Sequence, residues 1–326
     1  MIPARRPAYS IGGMAATGRL QSLTITDRRG TTTDELTLTL EDHDGRLAIP
    51  PRGKILTVAL GWEGEALVDR GSFTVDEVEH SGAPDVLTIR ARSADLRKDN
   101  PAKRCESYHE KTLQEIVATA AGRLGLAPNI AAPLAGIFID HIDQTDESDL
   151  HFLYRLAERF DALCMAKNGN LLFMPMNGGV TAGGTPIPML TLKRGVGDTH
   201  RYLIADREEF TGVIAYWSDL DEAERKEVLV GNSENAKRLR HTYATEAHAI
   251  EEATAELTRL QRKHSELTLD LAEGRADIYP ETPVTTQGYK PEIDATSWII
   301  DEVIHEFSER GYTCSIRMET QTIHTS

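Results

Sequence analysis

Leu36-Thr37-Leu38-Thr39-Leu40 and Leu267-Thr268-Leu269-Asp270-Leu271 alternate apolar and polar residues without a break. A period of two sends every second side chain to one face, so each stretch predicts a strand with one face in a core and the other in water. The residues after each stretch repeat as well. Gly45-Arg46 comes after the first and Gly274-Arg275 after the second, and prolines come next (Pro50 and Pro51; Pro280 and Pro283), which suit sheet corners better than strand centres. Residues 58–62 then carry Gly61 before Trp62, and residues 284–289 carry Gly288 before Tyr289. The longest echo is Phe73-Thr74-Val75-Asp76-Glu77-Val78-Glu79-His80, which returns as Trp298-Ile299-Ile300-Asp301-Glu302-Val303-Ile304-His305. Val86-Leu87-Thr88-Ile89-Arg90 and Thr313-Cys314-Ser315-Ile316-Arg317 close the two copies. Because glycine, acidic and histidine markers recur in the same order as the apolar ones, the pattern predicts one β module used twice. Short strands separated by Gly/Pro turns predict a small barrel or sandwich for each.

The pattern changes between the copies. Thr112-Leu113-Gln114-Glu115 is a capping-box sequence, after which Leu113, Ile116, Val117, Ala120 and Leu124 form a helical stripe that Gly125 stops. A second helix is expected after Asp146 as N-cap, with Glu147 and Asp149 in its first turn and an apolar face of Leu150, Leu153, Leu156, Ala157 and Phe160. Ile137-Phe138-Ile139 suggests a strand that His141 closes, and Asn168-Gly169 between two apolar runs predicts a hairpin. Residues 177–188, rich in Gly and Pro, read as a flexible exit linker. Further strands are expected around Tyr202-Leu203-Ile204 and residues 213–217, a loop or short solvated helix at 219–227, and a long helix at about 245–266. Ile250, Ala253, Leu257 and Leu260 would form its narrow apolar side. The expected organisation is α+β, mainly β: a first β-barrel domain at 1–104, an α+β insert domain at 105–190, and a second β-barrel domain at 191–326 that includes the long helix.

A formal charge of -15 over 326 residues argues against a general nucleic-acid-binding surface, which needs a basic field. The most basic stretch, residues 90–104, carries Asp95 and Asp99 among its cations and reads as a solvated connector. Cys105, Cys164 and Cys314 are odd in number and never in a C-x-x-C pair, so neither a disulfide framework nor a zinc site is indicated and a reducing cytosol is the expected place of synthesis. The first ten residues lack an apolar signal region, and no run approaches the length of a membrane span.

His141, Asp143, Asp146, Asp149 and His151 make the most enzyme-like cluster, one that could serve a metal-assisted hydrolase. Its spacing fits neither H-E-x-x-H nor a calcium loop, and its residues read separately as an N-cap at Asp146, a first-turn acid at Asp149 and a strand end at His141. The glycine run at 178–184 lacks the Lys-Ser/Thr of a phosphate cradle, and no nucleophile elbow is present. His80 and His305 fall at equivalent repeat positions, which points to a structural role such as a solvent-facing or rim hydrogen bond. No catalytic, cofactor-binding or metal-binding residue is assigned.

Several passages resemble one family, the phage late control gene D proteins, tail hubs of contractile-tailed phages. They are residues 34–53 (DELTLTLEDHDGRLAIPPRG), 71–96 ending in RARSADL, 108–126 (YHEKTLQEIVATAAGRLGL), 143–160 (DQTDESDLHFLYRLAERF) and the strand 298–305. The resemblance also extends to the N-terminal part of type VI secretion spike proteins. It implies a homotrimer with two tube-like β-barrel domains per subunit, joining a central spike to the hexameric tail tube. Three chains would then present six similar modules. It implies no enzyme activity and no cofactor; the partners would be further copies of the chain, the tail spike protein, the tail tube protein and other baseplate proteins. DNA would pass through the lumen without specific binding. The expected location is the virion tail baseplate, after assembly in the bacterial host cytoplasm. Since the second module lies close to Ser326, the spike is expected to be a separate protein.

Overall fold

Leu36, Leu38 and Leu40 are each no more than 1% exposed, so the alternation places one row of side chains in a core as its period requires. The computed structural model describes all residues except 1–4, 15–17, 31–32, 94–101, 168, 177, 182, 205–209, 220–221, 263–264 and 322–326. Most of the connector at 90–104 falls outside the described residues.

Six strands build the first copy: β1 (Pro7–Gly12), β2 (Leu20–Arg28), β3 (Glu35–Glu41), β4 (Ile55–Trp62), β5 (Val68–Ser81) and β6 (Val86–Ser93). They pair in the order β1-β4-β5-β6-β3-β2. The insert follows as β7 (Arg104–Thr112), α1 (Leu113–Arg123), β8 (Ala127–Ile130), α2 (Ala132–Ala135), β9 (Phe138–Glu147), α3 (Asp149–Arg159), β10 (Ala162–Lys167) and β11 (Asn170–Pro175). After it come β12 (Leu190–Lys193), β13 (Thr199–Ile204), β14 (Gly212–Asp219), β15 (Glu224–Gly231), β16 (Ala236–Tyr243), α4 (Glu246–Arg262), β17 (Ser265–Leu271), β18 (Pro283–Gln287), α5 (Pro291–Asp294), β19 (Trp298–Ser308) and β20 (Gly311–Thr320). In the second copy the pairing runs β12-β18-β19-β20-β17-β13. Strand for strand this is the order of the first copy, with one change: β1 lies antiparallel to β4, whereas β12 lies parallel to β18.

The duplicated modules are not two separate sheets. β2 pairs with β19, so the eight strands β5-β6-β3-β2-β19-β20-β17-β13 form one continuous run. One apolar cluster spans both copies, from Leu23, Leu38 and Phe73 to Leu269, Trp298 and Ile316. Burying such rows contributes roughly 25 cal/mol per Å² of apolar surface, the main term holding the copies together.

Several elements differ from the sequence expectation. The capping box at Thr112 and Glu115 forms, with Glu115 N–H donating to the Thr112 hydroxyl at 3.3 Å and Thr112 N–H to the Glu115 carboxylate at 2.8 Å. The second helix starts later than expected. β9 runs on through Asp146 to Glu147, and Ser148 is the N-cap, accepting from His151 N–H. His141 accordingly lies inside a strand rather than at its end. Residues 224–227 belong to β15, neither loop nor helix, because they pair with β14. α4 ends at Arg262, and Ser265 and Glu266 begin β17. Its packed side is Ala249, Ala253, Leu257 and Leu260 against β14, whereas Ile250 is 43% exposed. Small alanines let the helix approach the sheet closely. β14, expected within the second barrel, is instead the central strand of a separate three-stranded sheet, β15-β14-β16.

Candidate assembly surface

The junction between the copies begins with the buried row of β2. Leu23 and Ile25 enter the shared core, and the next residue of that row is Asp27, 6% exposed. A buried carboxylate is costly unless paired. Arg70 from β5 lies 2.6 Å from Asp27 and also donates to the carbonyls of Ala276 and Ile278 at 3.2 and 3.1 Å, so one guanidinium ties the first copy to the backbone of the second. The Trp62 indole N–H adds a bond to the Gly274 carbonyl at 3.0 Å.

Arg29, just past β2, fixes the other end. It lies 2.5 Å from Glu319, 3.2 Å from Asp301 and 3.3 Å from Glu281, and its own N–H donates to the Asp301 carbonyl at 2.9 Å. Burial alone lowers the guanidinium pKa, but Glu319, Glu281 and Asp301 outweigh it and hold the group charged. Glu281 adopts φ 63°, a left-handed conformation costly for a side chain; at the matching place in the first copy stands Gly53, φ 86°. Their matching roles appear in the backbone. Gly53 N–H donates to the Val75 carbonyl at 2.8 Å, and Glu281 N–H to the Ile300 carbonyl at 2.9 Å.

Beyond Val75 the two copies part. β19 continues against β2, with Glu302 to Phe307 opposite Arg28 to Leu23. On β5, no strand among the described residues lies along the outer edge of residues 77–81. β13 likewise pairs with β17 on one side and with no described strand on the other. The equivalent histidines have different surroundings as a result. His80 is exposed, 3.4 Å from Asp42, while His305 is wholly buried, its Nδ1 2.9 Å from the Tyr312 hydroxyl. A shared solvent-facing role therefore does not hold; burial keeps His305 well below the ordinary histidine pKa.

The enzyme-like cluster disperses. Asp149 is taken by Arg104 at 3.0 Å and Arg123 at 3.3 Å; Asp146 faces Lys103 at 2.8 Å, and His151 faces Glu147 at 3.5 Å. His141 and Asp143 stay together at 3.2 Å, with His109 against His141 at 3.1 Å and Ser107 donating to Asp143 at 2.6 Å. Strand pairing between β7 and β9 accounts for that grouping, since His109 lies opposite His141 and Ser107 opposite Asp143. Among the described residues no group of three or more His, Cys, Asp or Glu is placed to hold a metal ion. The glycine-rich stretch forms a tight turn rather than a loose linker: Thr181 N–H bonds the Thr185 carbonyl at 2.8 Å, and Val180 bridges Pro186. A groove of about 1180 Å³ lies between α3, α4 and the junction, but its charges are largely paired with each other, as in Arg317 with Asp301 and Lys237 with Glu256. Sequence reasoning missed the junction arginines. Their only signal was Asp27, a charge in an otherwise apolar row.

Residues 33–311 match the family model described as phage tail baseplate hub (GPD). The probable baseplate hub protein of Escherichia phage P2 is 43% identical over 93% of this chain and 89% of its own length; that of Escherichia phage 186 is 40% identical over 93% and 88%. The 43 kDa tail protein of prophage MuSo2 from Shewanella oneidensis has the same fold, with a TM-score of 0.67 at 17% identity, covering 97% of this chain and 98% of that one. A type VI secretion system component of E. coli shares it too, with a TM-score of 0.57 at 12% identity, covering 97% of this chain and 77% of that one.

Proposed function

The chain belongs to the phage tail baseplate hub family, and from that premise we propose that it acts as a homotrimeric adaptor seating a separate spike protein on one side and the hexameric tail tube on the other. It is a structural component of the virion tail, of a family not known as enzymes. The observation that carries the adaptor reading is the repeat. Two modules with the same strand order, joined edge to edge, let three chains offer six similar faces around one axis. That number matches a threefold spike to a sixfold tube by shape and edge complementarity, without turnover.

In this reading residues 1–104 and 191–326 supply the two barrel-like units of the ring, and the insert at 105–190 stands outside or beneath it. The uncovered face of the eight-stranded run lines the lumen. That face is rich in threonine and carries Glu35, Glu266, Asp270 and Glu306 alongside Arg90 and Arg317. A mixed, slightly acidic wall does not grip phosphate, which suits passage of DNA. A strongly basic lumen in the assembled ring would contradict this. Assembly takes place in the host cytoplasm before the tail is complete.

The direct test mixes the purified chain with the spike protein of the same tail. One complex with three hub chains per spike is expected. Failure to bind a folded spike, with release of fragments from peptidoglycan instead, would favour a hydrolase. The fold shared with a secretion-system component supports a second reading, the hub of a secretion or tailocin apparatus. The genes flanking this one separate the two.

A further inference from the structure

We propose that His109 and His141, paired across β7 and β9 on the exposed face of the insert, form a two-nitrogen site for a divalent transition-metal ion, Cu2+ above the others. The pair is set by strand register, since His109 lies directly opposite His141 and Ser107 directly opposite Asp143. On the reverse face of the same strands Tyr108 and Ile142 are each 6% exposed, and Tyr108 stacks on Phe152 with ring centroids 5.4 Å apart. That packing fixes the backbone beneath the two histidines before any ion arrives, as a preorganised site requires. His141 and Asp143 belong to the cluster that the sequence singled out; the second nitrogen comes from His109, 32 residues before His141.

The spacing of the ring nitrogens suits a single ion. Nδ1 of His109 and Nδ1 of His141 lie 3.1 Å apart. With metal–nitrogen bonds of about 2.0–2.1 Å, that separation corresponds to an N–metal–N angle of roughly 98°, between the square-planar and tetrahedral values. The ring centroids are farther apart, 4.5 Å at an inclination of 30°, so the rings draw together on their Nδ1 side. Both side chains are exposed, and a histidine ring turns easily about its Cβ–Cγ bond, which aims both in-plane lone pairs at one shared ion.

The far side of His141 carries the support typical of a metal-ligating histidine. Its Nε2 lies 3.2 Å from Asp143 Oδ2, and the Ser107 hydroxyl donates to the other oxygen of that carboxylate at 2.6 Å. The carboxylate accepts the Nε2 proton, which leaves the Nδ1 lone pair of His141 to the ion. In the metal-free chain that lone pair accepts from His109 Nδ1–H. On binding, His109 gives this proton to solvent and takes one up at Nε2, so both rings ligate as neutral imidazoles with no net change in protonation. Asp143 is a positioning residue rather than a ligand, and solvent completes the shell around two protein donors. Imidazole nitrogens suit Cu2+, Ni2+ and Zn2+, whereas Mg2+ and Ca2+ take oxygen.

Calorimetric titration of the full chain, stripped of metal with EDTA, tests the site with CuCl2, NiCl2, ZnCl2 and MgCl2 as probes. One Cu2+ per chain is expected, bound more tightly than Ni2+ or Zn2+, with no response to Mg2+. His109→Asn and His141→Asn should each weaken Cu2+ binding by at least about 100-fold, and Asp143→Ala by about 10-fold at unchanged stoichiometry. Electron paramagnetic resonance should show two imidazole nitrogens on the copper in the unaltered chain and fewer in either histidine variant. All three side chains are exposed, so the variants should keep the denaturant midpoint of the unaltered chain, which separates a lost ligand from a lost fold. Cu2+ uptake that survives in the doubly substituted H109N/H141N chain, or a copper spectrum without two nitrogens, places the ion elsewhere and overturns the site. Absence of saturable uptake at one ion per chain overturns it as well.

Discussion

Asp76 and Asp301 are the extra residues of the same β-bulge, one in each copy. Val75 pairs with Ala91 and Glu77 with Arg90, passing over Asp76; Ile300 pairs with Met318 and Glu302 with Arg317, passing over Asp301. A bulge bends its strand and increases its local twist. Here it falls where each strand leaves β4 or β18, and in the second copy it is where the strand turns onto β2. The two aspartates do different work. Asp76 lies 3.5 Å from Arg92 at the surface, while Asp301 binds Arg317 at 2.6 Å and the buried Arg29 at 3.2 Å.

Arg29→Met should destabilise the chain by about 3 kcal/mol or more, since it leaves the buried Glu281 and Glu319 without their cation and only Arg317 beside Asp301. Like charges raise one another's pKa, so the folded variant takes up protons more readily than the unfolded chain. Its deficit should shrink as pH falls from 7.5 to 5. Urea titrations at both pH values measure it.

Arg70→Met strands the buried Asp27 and two carbonyls, and should cost on the order of 3–5 kcal/mol. Adding Asp27→Leu should recover much of that loss, because an apolar pair needs no partner. Denaturant midpoints of the single and double variants form the test, and an unimproved double variant would show that the carbonyl bonds dominate.

His305 gives a pH signature. Its pKa is depressed by burial, with Arg70 adding to the effect, so the folded chain holds it neutral. The unfolded chain binds that proton below about pH 6.5. Stability is thus fully present above pH 6.5 and falls by up to about 1.4 kcal/mol per pH unit below it. His305→Leu should flatten this slope between about pH 5 and 6.5.

Thiol labelling checks the packing. Cys105 is exposed, while burial pushes Cys164 up to about 12 and Cys314 up to about 11. At pH 8 iodoacetamide should modify Cys105 alone in the folded chain and all three in denaturant. Rapid native labelling of Cys314 would contradict the closed second module.

Much of the sheet is legible in the sequence because strands with one wet face write their period into it. The repeat identifies β3 with β17, β5 with β19 and β6 with β20, and the strand order agrees. β2 has the same alternation in Leu23-Thr24-Ile25-Thr26, but it lacks the markers that drew attention to the others. β15 and β16 carry charges on both sides and pair as outer strands of a sheet covered on one face by α4, so no apolar period announces them. The junction itself could not be read. Its key residues, Arg29, Arg70 and Asp27, are ordinary surface types until tertiary pairing buries them together.

Sedimentation of the purified chain tests the central claim most directly. Three copies of 36.1 kDa predict a single species of about 108 kDa. A wild-type species that stays at 36.1 kDa across the concentration range, or settles as a closed dimer, would contradict the account.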